Sequence, residues 1–152
     1  MARIAFFPGS FDPITKGHED IVRRAVPIFD EIIVALGTNS SKTYMFSFEQ
    51  RLEWIENTFK DCENIKVISY KGLTLDACKE HKAQFILRGL RNSNDYEYEK
   101  SIAMMNQAMA PTIETIYLNT KPESAAISST IIRDIIKHQG KAEPFLASGV
   151  RL

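Results

Sequence analysis

At 152 residues and 44% hydrophobic, the chain is long and apolar enough for one globular domain, residues 1–152, with a full core. Its 19 basic and 19 acidic residues cancel, which excludes an overall field for nucleic acid or membrane, so any anion must be held by a local cluster of cations. No apolar run approaches ~18 residues and the start lacks a secretory pattern, so the expectation is a soluble, cytoplasmic protein with no membrane partner.

A first strand is expected from Arg3 to Phe7. After it, Pro8-Gly9-Ser10-Phe11-Asp12-Pro13-Ile14-Thr15-Lys16-Gly17-His18 packs prolines and glycines into a stretch that fits neither strand nor helix, so the chain must turn in a fixed way. Thr15 is a plausible N-cap for a helix reaching about Phe29, with Pro27 awkward near its end. A strand, a glycine-bearing turn and a helix start bring backbone N–H groups and a helix dipole onto one anion.

The continuous apolar run Glu31 to Leu36 suits a strand buried on both faces of a parallel sheet. A polar loop follows, from Gly37 to Lys42. Ser47 and Gln50 have capping-box spacing and open a second helix, to about Phe59, that buries Leu52, Ile55 and Phe59. Trp54 is read as packing. Ile65 to Tyr70 is a third strand, Leu73 to His81 a third helix and Gln84 to Arg88 a fourth strand. A long helix then runs from Asn94 or Asp95 to Ala110 and stops at Pro111, its Ile102, Met104, Met105 and Met109 facing the core or a neighbouring subunit. Thr115 to Leu118 is a fifth strand, Ser128 or Ser129 caps a last helix over Thr130 to Gln139, and a short turn surrounds Pro144. Cys62 and Cys78 show no metal-ligand or Cys-x-x-Cys spacing and are read as reduced thiols.

Alternating strands and helices with short loops predict an α/β fold: a Rossmann-like, doubly wound sheet of five parallel strands with helices on both faces. Ligands of such sheets bind beyond the carboxyl ends of the strands. The loops on that edge hold Ser10 to His18, Lys42, Gly72 to Thr74, Arg88 to Arg91 and Ser124 to Thr130.

Each block suits phosphate. Arg88 and Arg91, flanking Gly89 and Leu90, offer two guanidinium forks. Glu99, one helical turn beyond Asp95, is placed to touch ligand or orient Arg91. Ser128, Ser129 and Thr130 open a helix with more hydroxyls than one N-cap needs. The turn lacks the Gly-Lys-Ser/Thr of a Walker loop and the Gly-x-Gly-x-x-Gly of a dinucleotide fingerprint.

Thr15-Lys16-Gly17-His18 instead resembles the (H/T)-x-G-H signature of the nucleotidyltransferase superfamily. Together with Arg88-Gly89-Leu90-Arg91, Asp95-Tyr96-Glu97-Tyr98-Glu99 and Ile127-Ser128-Ser129-Thr130, it closely resembles the bacterial phosphopantetheine adenylyltransferase family, in order and spacing over nearly the whole chain. The resemblance implies transfer of AMP from ATP to 4′-phosphopantetheine, giving dephospho-coenzyme A and pyrophosphate, with Mg²⁺ as cofactor. It also implies a homohexamer built as a dimer of trimers, and coenzyme A as a feedback inhibitor. Carried across residue by residue, it puts His18, Lys42 and Arg91 in the catalytic group. Ser10, Lys42, Thr74, Arg88, Ile102 and Asn106 fall to phosphopantetheine. Ser10, Phe11, His18, Gly89, Leu90, Arg91, Glu99 and the run Ser124, Ala125, Ala126, Ile127, Ser128, Ser129, Thr130 fall to ATP; no residue is assigned to metal.

Ser10 replaces the family's usual threonine and keeps its hydroxyl, while Ser124 and Ala126 replace bulkier residues. Because the attacking group is already a phosphate anion, the expected mechanism is direct in-line attack without a covalent intermediate, driven by positioning and electrostatics. A relative with a different phosphorylated acceptor, and an idle nucleotide-binding module, are the two alternatives.

Overall fold

A computed structural model describes all 152 residues. The strands are β1 (Ile4–Gly9), β2 (Glu31–Thr38), β3 (Ile65–Lys71), β4 (Phe85–Leu90) and β5 (Glu114–Asn119). Between and after them come α1 (Lys16–Ala25), α2 (Phe48–Phe59), α3 (Thr74–Glu80), α4 (Ser93–Met109) and α5 (Ser129–Lys137). The sheet order is β3-β2-β1-β4-β5 and each neighbouring pair is parallel, so the expected doubly wound arrangement is what forms. From β1 the chain winds out to β2 and β3, then returns to the other side for β4 and β5. The order therefore reverses between β1 and β4, where a crevice opens at the carboxyl edge.

The alternation of strand side chains divides the core in two. Ala5, Phe7, Ile32, Val34 and Leu36 join one cluster with α1, α2, α5 and the C-terminal turn. Phe6, Ile33 and Ala35 point the other way, into a smaller cluster with α3 and the end of α4. Both faces of β2 are thus covered, as its unbroken apolar run requires. Each fully buried residue of this kind, such as Phe6 or Ile32, contributes about 1.5–3 kcal/mol. Trp54 lies in the larger cluster, edge-on to Phe46. Cys62 and Cys78 are free thiols, and burial pushes that of Cys78 up to about 12. No helix is long and apolar enough to cross a membrane.

Element ends depart from the expectations where side chains intervene. α1 stops at Ala25 rather than Phe29, because Pro27 cannot donate into the last turn. β1 and β2 each extend two residues further, to Gly9 and Thr38, carried by their mutual pairing up to Gly9–Leu36 and by the pairing of β2 with β3. α4 begins at Ser93, since Asn92 is its cap and accepts from the Asp95 N–H at 2.9 Å. α5 ends at Lys137, two residues early. The methionine row of α4 does not face the core: Met104, Met105 and Met109 are exposed, and Glu99 is the helix's one buried residue.

Candidate active site

The β1 turn is held by groups that the sequence spacing only partly revealed. Phe11 adopts a left-handed backbone, φ 46°, uncommon for an aromatic residue, and its ring folds back over Gly9. A Cβ on Gly9 would come within 2.8 Å of that ring, so only glycine fits there. The Asp12 carboxylate, buried, accepts from the N–H groups of Met45 and Phe46 at 2.9 and 3.0 Å, fastening the turn to the loop after β2. Arg51 of α2, also buried, donates to the Ser10 carbonyl at 2.8 Å and to that of Phe46 at 3.1 Å. Arg133 of α5 donates to the Asp12 carbonyl at 2.8 Å.

His18 sits in the first turn of α1 as one half of a capping box. The His18 N–H donates to Thr15 Oγ1 at 3.2 Å, and His18 Nδ1 accepts from the Thr15 N–H at 3.0 Å. An Nδ1 that accepts is unprotonated, so the proton of the neutral ring resides on Nε2. Burial, then the Arg88 and Arg91 charges, hold the imidazole at a pKa of about 4, so it is neutral near pH 7. Phe11 packs edge-on against it, ring centroids 5.1 Å apart. The box expected at Ser47 has only one arm, Ser47 Oγ accepting from the Gln50 N–H. Its two-armed form occurs at Thr15–His18, where histidine replaces the usual Glu or Gln.

Two cavities open at the carboxyl edge of the sheet. One, of about 400 Å³, lies beneath α4 and the loops after β2 and β3. Ser10, Lys42, Thr74, Arg88, Ile102 and Asn106 all line it, with Tyr70, whose hydroxyl pairs with Thr74 Oγ1 at 3.0 Å. The other, of about 360 Å³, lies between the starts of α1 and α5. Ser10, Phe11, His18, Gly89, Arg91, Glu99, Ser124, Ile127, Ser128, Ser129 and Thr130 line this α5 cavity. Pro8, Gly9, Ser10, Arg88 and Glu99 are common to both and form the wall between them.

The two arginines are held by different acids. Arg88 donates from Nε and Nη2 to the Glu99 carboxylate at 3.0 and 2.6 Å, and from Nη1 to the Pro8 carbonyl at 3.0 Å. Three of a guanidinium's five N–H donors are thereby engaged and two remain for a ligand. Arg91 is held by Asp95, through both its backbone N–H and its guanidinium. Glu99 therefore orients Arg88 and not Arg91, because it lies two helical turns into α4, under the β4 side chain. Lys42 is exposed, in a loop turn closed by its N–H to the Asn39 carbonyl.

The hydroxyls at the start of α5 are partly spent on structure. Ser128 caps the helix by accepting from the Ile131 N–H, Ser129 donates to the Pro13 carbonyl at 2.9 Å, and Thr130 accepts from Arg133. The segment is thus stitched to the β1 turn, and a helix start there can offer first-turn N–H groups to an anion. Leu90, Ala125 and Ala126 stay outside both linings. Strand alternation turns Leu90 away from the face that Gly89 presents to α1. Ala126 is exposed in the turn before Ser128, whereas Ser124 is buried and lines the α5 cavity.

Sequence reasoning gives no site role to Arg51, Tyr70 or Arg133. The signal for Arg51 was present: a charge on the same helical stripe as Ile55 and Thr58, both buried.

A family profile described as cytidylyltransferase-like matches residues 6–135. The chain is 53% identical over 150 residues to a phosphopantetheine adenylyltransferase of Flavobacterium johnsoniae, covering 99% of this chain and 98% of that one. It is 54% identical over 147 residues to that of Christiangramia forsetii and 45% over 150 residues to that of Bacteroides thetaiotaomicron, covering 97% and 99% of this chain and 97% and 99% of the relatives. Among solved structures, a bifunctional NMN adenylyltransferase/ADP ribose pyrophosphatase from Francisella tularensis superposes with a TM-score of 0.74. It shares 18% identity, and the match covers 99% of this chain and 46% of that one, so the likeness is one of fold.

Proposed function

The chain belongs to the phosphopantetheine adenylyltransferases of the cytidylyltransferase-like family, and from that premise we propose how its two cavities divide the reaction. The enzyme transfers the adenylyl group of ATP to 4′-phosphopantetheine in coenzyme A biosynthesis. Phosphopantetheine occupies the α4 cavity, its arm along Ile102 and Asn106 and its phosphate between Lys42, Thr74 and Arg88. ATP occupies the α5 cavity, between Phe11, His18, Gly89, Arg91 and the segment from Ser124 to Thr130. The observation that carries this reading is the shared wall: Ser10 and Arg88 line both cavities, so a phosphate from each side meets there.

The acceptor phosphate attacks the α-phosphorus in line and pyrophosphate leaves on the far side. No base is required of the protein, since the nucleophile is already anionic. What it must supply is position and compensation for charge on a five-coordinate phosphorus. His18 does so as a neutral donor through Nε2–H, its ring fixed by the Thr15 N–H and the Phe11 edge. Lys42 and Arg91 add fixed positive charge from the two sides. No three His, Cys, Asp or Glu side chains come together as a group that could hold a metal. Mg²⁺ is therefore assigned to the ATP phosphates as they bind.

The exposed row Met104, Met105 and Met109, with Tyr98 and Ile102, is an apolar surface of the kind that marks a protein contact. We assign it to subunit contacts of a homohexamer. Coenzyme A carries the same pantetheine arm as the acceptor and so competes for the α4 cavity. Free Cys62 and Cys78 suit the cytoplasm.

Pyrophosphate release from ATP, measured with 4′-phosphopantetheine and with a panel of other phosphorylated acceptors, tests the function. Release with phosphopantetheine alone is expected, and preference for another acceptor overturns the reading. Inversion at a chiral α-phosphorothioate is expected for in-line attack; retention would demand a covalent intermediate.

A further inference from the structure

β4 and β5 run parallel with Arg88 directly opposite Tyr117. Opposed residues project from the same face of a sheet, so the phenol lies beside the guanidinium, under α4. There its ring meets that of Tyr96 edge-on, centroids 6.0 Å apart. Burial, followed by the nearby Glu99 and Tyr96, pushes the phenol up from its ordinary pKa, so it remains a donor. Yet Tyr117 Oη is buried and hydrogen-bonds to nothing, the one buried side-chain polar atom in the chain of which this is true. An unpaired buried hydroxyl lowers the stability of the protein that carries it, and its retention calls for an explanation.

The neighbouring ion pair supplies one. Glu99 grips Arg88 through both carboxylate oxygens, and Arg88 is the cation common to the two cavities. A phosphate that takes the two remaining Arg88 donors shares that one cation with Glu99. The largely buried carboxylate then faces a second anion across the cation they share, which is costly unless another donor steps in. Tyr117 is the buried donor with no other commitment.

Resting on the α4 cavity as the phosphopantetheine site, we propose that Tyr117 is a positioning residue for the acceptor phosphate. As the phosphate engages Arg88, the Tyr117 hydroxyl donates to Glu99 and keeps that carboxylate, and through it Arg88, in place. The hydroxyl is thus a burden to the free enzyme and a support to the liganded one. A purely structural tyrosine would show the opposite balance.

Tyr117→Phe removes only the hydroxyl and keeps the ring packing. The expected result is a free-protein Tm equal to or above wild type. With it, the KM for phosphopantetheine rises about tenfold, as for loss of a charge-assisted hydrogen bond, while the KM for ATP changes less than about twofold. A lower Tm, an unchanged phosphopantetheine KM, or an equal rise in both KM values overturns the proposal. The Tm increase given by millimolar inorganic phosphate is measured in parallel, with Arg88→Ala marking the part that depends on Arg88. That part is expected to shrink in Tyr117→Phe, and an undiminished shift also overturns the proposal. This second readout stands even if no pyrophosphate is released with phosphopantetheine, a result that would strike the functional reading and not the Tyr117 relay.

Discussion

The two cavities share one wall but are built by different means. The α5 cavity is walled by groups locked from behind: Phe11 and Thr15 are 2% exposed, Ser124 3% and Asp12 5%. Its histidine closes a capping box, Ser129 is stitched to the β1 turn, and Arg51 and Arg133 hold the turn by its carbonyls. The α4 cavity is roofed by a helix with one buried residue and lined by Tyr98 and Ile102, which are 69% and 40% exposed. In the proposed division charge develops on the α5 side, where donors that need no reorganisation lower the barrier most. The same proposal has the α4 side seat a long, flexible arm, for which a yielding lining suffices. The difference assigns rate to one cavity and affinity to the other.

His18→Ala tests that division hardest. Loss of one preorganised donor to the transition state is expected to lower kcat by about 10²–10³-fold, with the KM for ATP within a few-fold of wild type. Steady-state kinetics measure both. A variant that keeps kcat within tenfold places the rate-determining contact elsewhere and ends the contrast.

Next in size is the scaffold behind the α5 cavity. Asp12→Ala strands the N–H groups of Met45 and Phe46, each of which donates to a buried carboxylate, and is expected to cost about 3 kcal/mol. Calorimetry should then show a Tm lower by roughly 6–12 °C. Ile102→Ala on the α4 roof should cost less, since within one chain Ile102 is 40% exposed and its loss strands no polar group. A comparable loss on truncating Ile102 would mean that the roof is as preorganised as the floor opposite.

How far the sequence disclosed this arrangement depended on the range of the interaction. Ser10, His18 and the arginines were legible because a turn, a helix start and a strand end are local, and the strand order then had to gather them on one edge. The partner of Glu99 was not. Helical spacing points Glu99 back towards Arg91 through Asp95, while the actual contact with Arg88 depends on how α4 crosses β4, which no local pattern states. The capping box went to Ser47 for a related reason: the pattern names Glu or Gln, and histidine fills the same geometry at His18. Tyr117 gave no signal at all, because an orphan hydroxyl exists only once the packing around it does.

A smaller effect is expected from the exposed cation of the α4 side. Lys42 has no acidic partner and its removal strands nothing, so Lys42→Ala should raise the KM for phosphopantetheine about five- to tenfold and leave Tm unchanged. Isothermal titration with each substrate separates the sides. An equal loss of ATP affinity would show that Lys42 reaches across the shared wall and that the cavities are less distinct than their linings.

The smallest effect is a pH dependence of stability that belongs to the α5 cavity alone. His18 is held at a pKa of about 4 in the folded chain, by burial first and the two arginines second, and returns to about 6.5 on unfolding. Between those values the unfolded chain binds a proton that the folded chain refuses, so acid draws the equilibrium towards unfolding. Wild-type stability should therefore fall as pH drops from about 6.5 to about 4, by an amount on the order of 1 kcal/mol. His18→Gln, which has no proton to gain, should lack that component, and other titrating groups cancel in the difference. Urea unfolding of both proteins at several pH values gives it directly. The same neutrality predicts that the acid limb of kcat due to His18 lies near pH 4–5. A wild-type-minus-variant difference that is flat across the window, or an acid limb of kcat near pH 6.5, would mean that His18 titrates as it does in water. The α5 cavity would then have lost the dry, cationic character that sets it apart from its neighbour.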